Sequence, residues 1–367
     1  MLHVAQPRDA GVPRVAAALV SDQIERGFEV SVASPPDGDL RLAAQSAGAR
    51  WLPWAAARDP GPSTLVEGRR LAAIIGQVEP DLVHLHSAKA GLAGRLVLRG
   101  RRPVVFQPHS WSFEAAGGAI GRAAVAWERW GARWADVVVC VSADERRRGE
   151  QAGVRARFAE IPNGVDLARY AAATTKDRST ARAMLGVAPA TPLAVTVGRL
   201  SRQKGQDVLL AAWRRVLERV PDAELVLVGY GPARPELEAL RVPRVRFAGA
   251  GQDVAAWLAA GTVIVLPSRW EAGLSLVAME AMASARSVVA ADVAGMREGL
   301  AEGSGTVVGV EAVQPLADAV AERLATPGLA DREGVAGRRR VERHYDLKVA
   351  SGRMAELYQE TIERRAS

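Results

Sequence analysis

Short apolar runs alternate with helix-patterned segments through this chain, and the alternation starts afresh halfway along. Strand-like runs fall at residues 2–5, 28–33, 82–85, 103–107, 136–142 and 158–161, then at 193–197, 224–228, 245–248, 263–266, 287–291 and 306–310. Most are rich in Val, Leu and Ile without polar alternation, the pattern of strands buried on both faces. Strands separated by helices pair in parallel through crossover connections. Two series of six predict two doubly wound α/β domains rather than one long sheet. The 367 residues suffice for two cores. The boundary is expected in the polar, Ala-rich stretch 171–180, which gives domains over 1–172 and 173–345. A separate helix within 346–367 follows the break at His344-Tyr345-Asp346.

Composition narrows the function classes. No apolar run approaches the roughly 20 residues that span a bilayer, and the first residues lack a basic-then-apolar leader. A single cysteine, Cys140, lies in a strand-like run, so disulfides cannot organise the fold and a reducing cytoplasm is expected. The net charge of +7 is concentrated: residues 89–133 hold eight cations and two acids. No nucleic-acid-binding motif accompanies them, so nucleic acid is not expected as a partner. Trp127, Trp130 and Trp134 share a helical face with Arg129 and Arg133, which suits peripheral contact with an anionic membrane at its inner face. A tryptophan stripe buried in the core is the plainer alternative.

Two loops stand out as ligand sites. From Leu274 to Ala285 the chain is apolar nearly all round, yet it carries Glu280. A buried carboxylate is costly unless something pairs with it. Ser275 is placed to cap that helix, and the strand 263–266 feeds it through a loop bearing Glu271. The second loop follows strand 193–197 with Arg199 and Lys204, ahead of a helix near Gln206. Two cations at the carboxyl end of a parallel strand, beside a helix N-terminus, suit a diphosphate. Lysine is scarce, with four against 44 arginines, which favours a role for Lys204, a solvated loop cation being the alternative. In Gly229-Tyr230-Gly231-Pro232 the third glycine of a dinucleotide motif would fall at Arg234, so a tight turn is expected instead. His84 and His86 end one strand, ahead of a helix expected from 91–94, and His109 ends the next. They read as a polar substrate pocket rather than a metal site.

In this order and spacing the motifs resemble glycosyltransferase family 4, of the GT-B fold, over nearly the whole chain. They are the loop 9–12, the Asp81-to-His86 strand, Ile161-Pro162-Asn163-Gly164, Val197-Gly198-Arg199 with Lys204-Gly205, Gly229-Tyr230-Gly231, Phe247-Ala248-Gly249, and Leu266 through Ala283. The resemblance implies two Rossmann-like domains facing across a cleft, with the acceptor on the first and a nucleotide-sugar donor on the second. The final helix would pack back towards the first. It implies a retaining, metal-independent transfer, without cofactor, of a hexose-type sugar from a UDP- or GDP-linked donor to a glycan or lipid-linked hydroxyl. Arg199 and Lys204 would hold the diphosphate, Glu280 the ribose, and Glu271 the sugar. The amides of Gly273, Leu274, Ser275 and Leu276 would meet sugar and phosphates. His109 would touch the sugar near the reaction centre, and Gly11 would approach the phosphates. The pattern departs from the family in three places. Eight residues separate Glu271 from Glu280 where the family has seven, Ala285 and Ser287 replace Gly and Pro, and Gly11 is single where a pair is common. A sugar-nucleotide epimerase of the same fold and a non-catalytic nucleotide-sugar scaffold are the alternatives.

Overall fold

The computed structural model describes residues 1–9, 11–57, 61–114 and 117–366. Ala10, in the N-terminal loop quoted above, and Ser367, at the end of the expected third segment, lie outside the described residues. The chain forms two compact units, Met1–Asn163 with Leu347–Ser367, and Gly164–Asp346.

The first unit holds β1 (Leu2–Ala5), β2 (Ser31–Ser34), β3 (Arg50–Pro53), β4 (Val83–His86), β5 (Val104–Gln107), β6 (Val137–Cys140) and β7 (Phe158–Glu160). They pair in parallel in the order β3-β2-β1-β4-β5-β6-β7. The second unit holds β8 (Leu193–Val197), β9 (Glu224–Val228), β10 (Val245–Gly249), β11 (Val263–Leu266), β12 (Ser287–Ala291) and β13 (Thr306–Val308). Its order is β10-β9-β8-β11-β12-β13, again all parallel. In both sheets the strand order reverses once, between β1 and β4 and between β8 and β11. At such a switch point successive crossovers part to opposite faces and open a crevice at the carboxyl ends.

Two doubly wound sheets are what the alternation predicts, with one strand added. Arg50-Trp51-Leu52-Pro53 escapes the pattern because it forms the edge strand β3, where only Leu52 is buried. The helix after β4 starts at Ser87 rather than near 91–94. The division falls after Asn163, earlier than residue 172, because Val165 and Tyr170 are buried in the second unit's core. The Ala-rich stretch 171–180 is no linker: Thr174 and Asp177 form a capping box that starts the helix Thr175–Met184. The C-terminal helix Leu347–Ala366 belongs to the first unit, where Met354, Leu357 and Tyr358 pack with Leu19, Leu82, Val105, Val137 and Val139. Chain entry and exit of the second unit lie side by side, Val165 N–H donating to Tyr345 O at 2.8 Å.

Ala285 and Ser287, two of the departures from the family pattern, have distinct roles. Ser287 opens β12 and its hydroxyl donates to Glu333, a buried acid that also receives Arg323 at 2.6 and 3.0 Å. Ala285 takes a left-handed backbone, φ 55°, that favours glycine. We expect Ala285→Gly to stabilise the second unit by about 0.5–1 kcal/mol, the relieved strain outweighing the added chain entropy. Thermal unfolding of the variant checks this, and a lower melting temperature counts against it.

Candidate functional site

The second unit's switch point carries the strongest constellation. Leaving β8, Gly198 leads to the exposed Arg199 and a short 3-10 turn, Arg202–Lys204, before the helix Gln206–Arg219. Leaving β11, the chain runs through Pro267, Ser268 and Glu271 to the helix Leu276–Ala283. The two loops are fastened together. Arg269 N–H donates to Gln203 O at 2.7 Å, the Gln203 side-chain amide to Trp270 O at 3.1 Å, and the Arg269 guanidinium to Arg202 O at 2.8 Å. Asp207 and Glu311 hold that guanidinium in ion pairs. Gly205 sits at φ 65° where a Cβ would come within 2.0 Å of Pro267 O, so only glycine lets the loops approach this closely.

Within this frame Lys204 forms an ion pair with Glu271, and Ser268 Oγ donates to the same carboxylate at 2.8 Å. The structure thus brings together two residues that the sequence marks separately. Glu280 is buried in a helix whose Ala278, Met279, Ala281, Met282 and Ala283 are buried too. Ser275 occupies that helix's N-cap position with extended backbone, but its hydroxyl makes no cap bond, contrary to the expectation. Capping needs a rotamer aimed back at the first turn, which sequence does not specify. Gly273, Leu274, Ser275 and Leu276 form the helix entrance, backed by Gly295, where a Cβ would come within 2.3 Å of Leu274 N. The turn at Gly229 serves packing: a Cβ there would lie 2.0 Å from Gly198 O. Gly11 begins the helix Gly11–Glu25 in the first unit instead of lying within a loop.

The first unit gathers four of the five histidines. His3 on β1 is in register with His84 on β4, and His86 ends β4 beside Gln107 of β5. His3 Nδ1 lies 2.9 Å from His86 Nε2, and His86 Nδ1 lies 3.2 Å from His109 Nε2. His3 Nε2 is 2.7 Å from Gln23 Oε1, and His84 Nδ1 is 2.7 Å from the Tyr358 hydroxyl. The ring nitrogens of His3, His84 and His86 fall within 4.8 Å of one another. The 2.9 Å contact is that of a shared proton, however, because two nitrogens on one tetrahedral zinc sit about 3.3 Å apart. Burial pushes His3 down to about 4 and His109 to about 3. Burial, reinforced by neighbouring rings, holds His84 and His86 well below the ordinary imidazole range. His109 itself stands in a left-handed turn, φ 53°, followed by Ser110 at 105°. Glu145 and Glu114 brace that turn, accepting from Ser110 N–H at 2.7 Å and Trp111 N–H at 2.9 Å. Sequence reading missed His3, Gln23, Glu114, Glu145 and Tyr358 as parts of this cluster, and the one signal for them was a histidine inside the strand run 2–5.

The basic segment resolves into two parts. Lys89 and Arg95 are buried and paired at 2.8 Å, with Glu67 and Glu128 respectively, so they lend the surface no charge. The three tryptophans do come together, Trp130 and Trp134 with ring centroids 4.2 Å apart and Arg133 above Trp130 at 4.8 Å. Trp130 is not core, being 43% exposed, whereas Trp127 and Trp134 are half-buried; Ile120 on the same helix as Trp130, Gly118–Gly131, is 73% exposed. Cys140 is buried, with its thiol pushed up by burial. Among the described residues no helix is long and apolar enough to cross a membrane.

These two sheets and their switch-point loops define a GT-B protein. HepE of Anabaena, solved in complex with UDP-glucose, superposes with a TM-score of 0.85 at 22% identity, over 98% of this chain and 99% of that one. Residues 10–169 match Glycosyltransferase Family 4 and residues 191–326 match Glycosyl transferases group 1. The chain is 33% identical to alpha-maltose-1-phosphate synthase of Mycolicibacterium smegmatis, over 76% of this chain and 78% of that protein. It is 32% identical to a GDP-mannose-dependent monoacylated alpha-(1-6)-phosphatidylinositol monomannoside mannosyltransferase of Corynebacterium glutamicum, over 61% of this chain and 62% of that protein's length. The chain belongs to glycosyltransferase family 4.

The neutral histidines predict an acid sensitivity. His3 is depressed in the folded state, so its contribution to stability is full above 6.5 and is lost as pH falls towards about 4. That loss is roughly 3 kcal/mol for His3 alone. Melting temperatures across this window should fall steeply for the natural chain and less steeply for His3→Gln.

Proposed function

We propose that this chain is a retaining glycosyltransferase that moves a hexose-type sugar from a UDP- or GDP-linked donor to a hydroxyl of a glycan or lipid-linked acceptor. The observation that carries the reading is the Lys204–Glu271 pair at the second unit's switch point, with Arg199 on the same loop and Glu280 buried in the adjoining helix. Departure of a nucleoside diphosphate leaves growing negative charge on phosphate and an oxocarbenium-like sugar. Arg199 and Lys204 meet that charge, together with the amides of Gly273, Leu274, Ser275 and Leu276, and they supply the positive charge that a divalent ion would otherwise bring. Glu280 takes the ribose hydroxyls. Glu271 keeps Lys204 in position and faces the sugar. On a same-face route the leaving phosphate takes the acceptor's proton, so no enzymatic base is required. The corynebacterial relative, a GDP-mannose-dependent phosphatidylinositol monomannoside mannosyltransferase, supports a nucleotide-activated donor and a lipid-linked acceptor.

Thermal-shift titrations with UDP, GDP and their sugars test this. Saturation at 100 times the dissociation constant should stabilise the donor unit by about 2.7 kcal/mol. Glu280→Ala and Lys204→Ala should each abolish most of that shift, while Arg202→Ala on the same turn should leave it intact. Equal effects from all three would remove the assignment, and sugar interconversion without any acceptor would replace it with epimerase activity.

We also propose peripheral attachment to an anionic membrane at its cytoplasmic face, through Ile120, Trp130 and Trp134 with Arg129 and Arg133. An exposed apolar and aromatic patch bordered by arginines fits a headgroup boundary. Flotation with phosphatidylglycerol vesicles should capture the natural chain at low salt and lose at least tenfold with Trp130→Ser plus Ile120→Ser. No capture of the natural chain would sink this part alone.

A further inference from the structure

The four clustered histidines are bonded in a way that assigns their protons. A neutral imidazole carries one N–H, and whichever nitrogen is bare must accept. The Gln23 amide sets the direction: its carbonyl oxygen faces His3 Nε2 at 2.7 Å, while its NH2 donates to the Tyr358 hydroxyl at 3.3 Å. An amide oxygen only accepts, so His3 carries its proton on Nε2 and is bare at Nδ1. His86 Nε2, 2.9 Å away, must therefore donate to it, leaving His86 Nδ1 bare. His109 Nε2, at 3.2 Å, must in turn donate to His86, and His109 Nδ1 ends the chain as a lone pair.

With the Gln23 amide in this orientation, a second branch of the cluster follows the same direction. Tyr358, having received the Gln23 N–H, keeps its own proton to give to His84 Nδ1 at 2.7 Å. His84 then carries its proton on Nε2. That nitrogen and Gln107 Oε1, on the neighbouring strand, are both buried without a hydrogen-bond partner. Burial keeps the phenol of Tyr358 and all four rings in their neutral forms.

We propose that Gln23, His3 and His86 are positioning residues that lock His109 as the neutral Nε2–H tautomer, with Tyr358 of the C-terminal helix holding Gln23 in the required orientation. His109 then presents Nδ1 as an acceptor and takes a hydroxyl, while rejecting a phosphate or carboxylate oxygen. This deepens the reading above, on which it rests only for the ligand being a sugar.

Long-range proton–nitrogen correlation NMR on the full, nitrogen-15-labelled chain reads tautomers directly, and only five histidines contribute. His3, His84, His86 and His109 should all show the Nε2–H pattern at neutral pH. Gln23→Met, which keeps the volume but removes the amide, should turn His109 into a mixture of tautomers. Tyr358→Phe gives a second route to the mixture should Gln23→Met fail to fold. An Nδ1–H pattern at His109 in the natural chain overturns the proposal, as does a folded variant that leaves the His109 tautomer unaltered. An Nε2–H pattern without any binding of nucleotide sugars refutes the donor reading and leaves the relay standing.

Discussion

The carboxyl ends of β8 and β11 part where the sheet order reverses, and the rest of the second unit depends on how that gap is bridged. Left open, it would expose two helix entrances and the loops between them. It is bridged by Lys204 and Glu271, with Arg269 tying both loops to Asp207 and Glu311. Coulombic attraction alone is a weak fastener for groups that water still reaches. Here it acts beside backbone bonds from Arg269 to Gln203, and Gly205 allows an approach no side chain would permit. The result is a rigid rim on which a cation, a carboxylate and a row of helix-entrance amides hold fixed positions. Preorganisation of that kind is what an anionic leaving group needs, since charges already in place cost no reorganisation when the bond breaks.

The two units solve the problem of buried polar groups differently. The second pairs opposite charges, as in Arg323 with Glu333. The first also does so at Lys89–Glu67 and Arg95–Glu128, but its sheet centre uses neutral rings that exchange hydrogen bonds with one another and with Gln23 and Tyr358. Neutral networks avoid the desolvation cost of an ion and carry direction instead, because each donor commits the next acceptor.

Much of the fold was legible because most of these parallel strands leave a clear apolar run, and twelve of the thirteen strands among the described residues were read that way. The exception, β3, shows the limit: with Arg50 and Pro53 at its ends it leaves only Trp51-Leu52 as an apolar run. The Ala-rich stretch before residue 180 misled for the opposite reason, since its polarity belongs to an exposed helix with a capping box. At the candidate site, residues marked by type and scarcity, Lys204, Glu271 and Glu280, were legible. Their pairing was not, because the Lys204–Glu271 contact joins loops after strands that are neighbours only in space. His3, Gln23 and Tyr358 were invisible for the same reason: they converge from a strand and from helices at both ends of the chain, and no spacing rule connects them.

The side-by-side entry and exit at Val165 and Tyr345 has a consequence for how the protein is made. The second unit is continuous in the chain, whereas the first is completed only by residues that follow it. On a ribosome the later-encoded unit therefore emerges whole and can close its core while the earlier one still lacks its last helix. Met354, Leu357 and Tyr358 follow the whole second unit in the chain, so the hydrophobic seal over β4, β5 and β6 and the hydroxyl of the histidine cluster are added together, after it. A nascent chain stalled short of that helix would hold a finished sheet on one side and an open, unsealed one on the other.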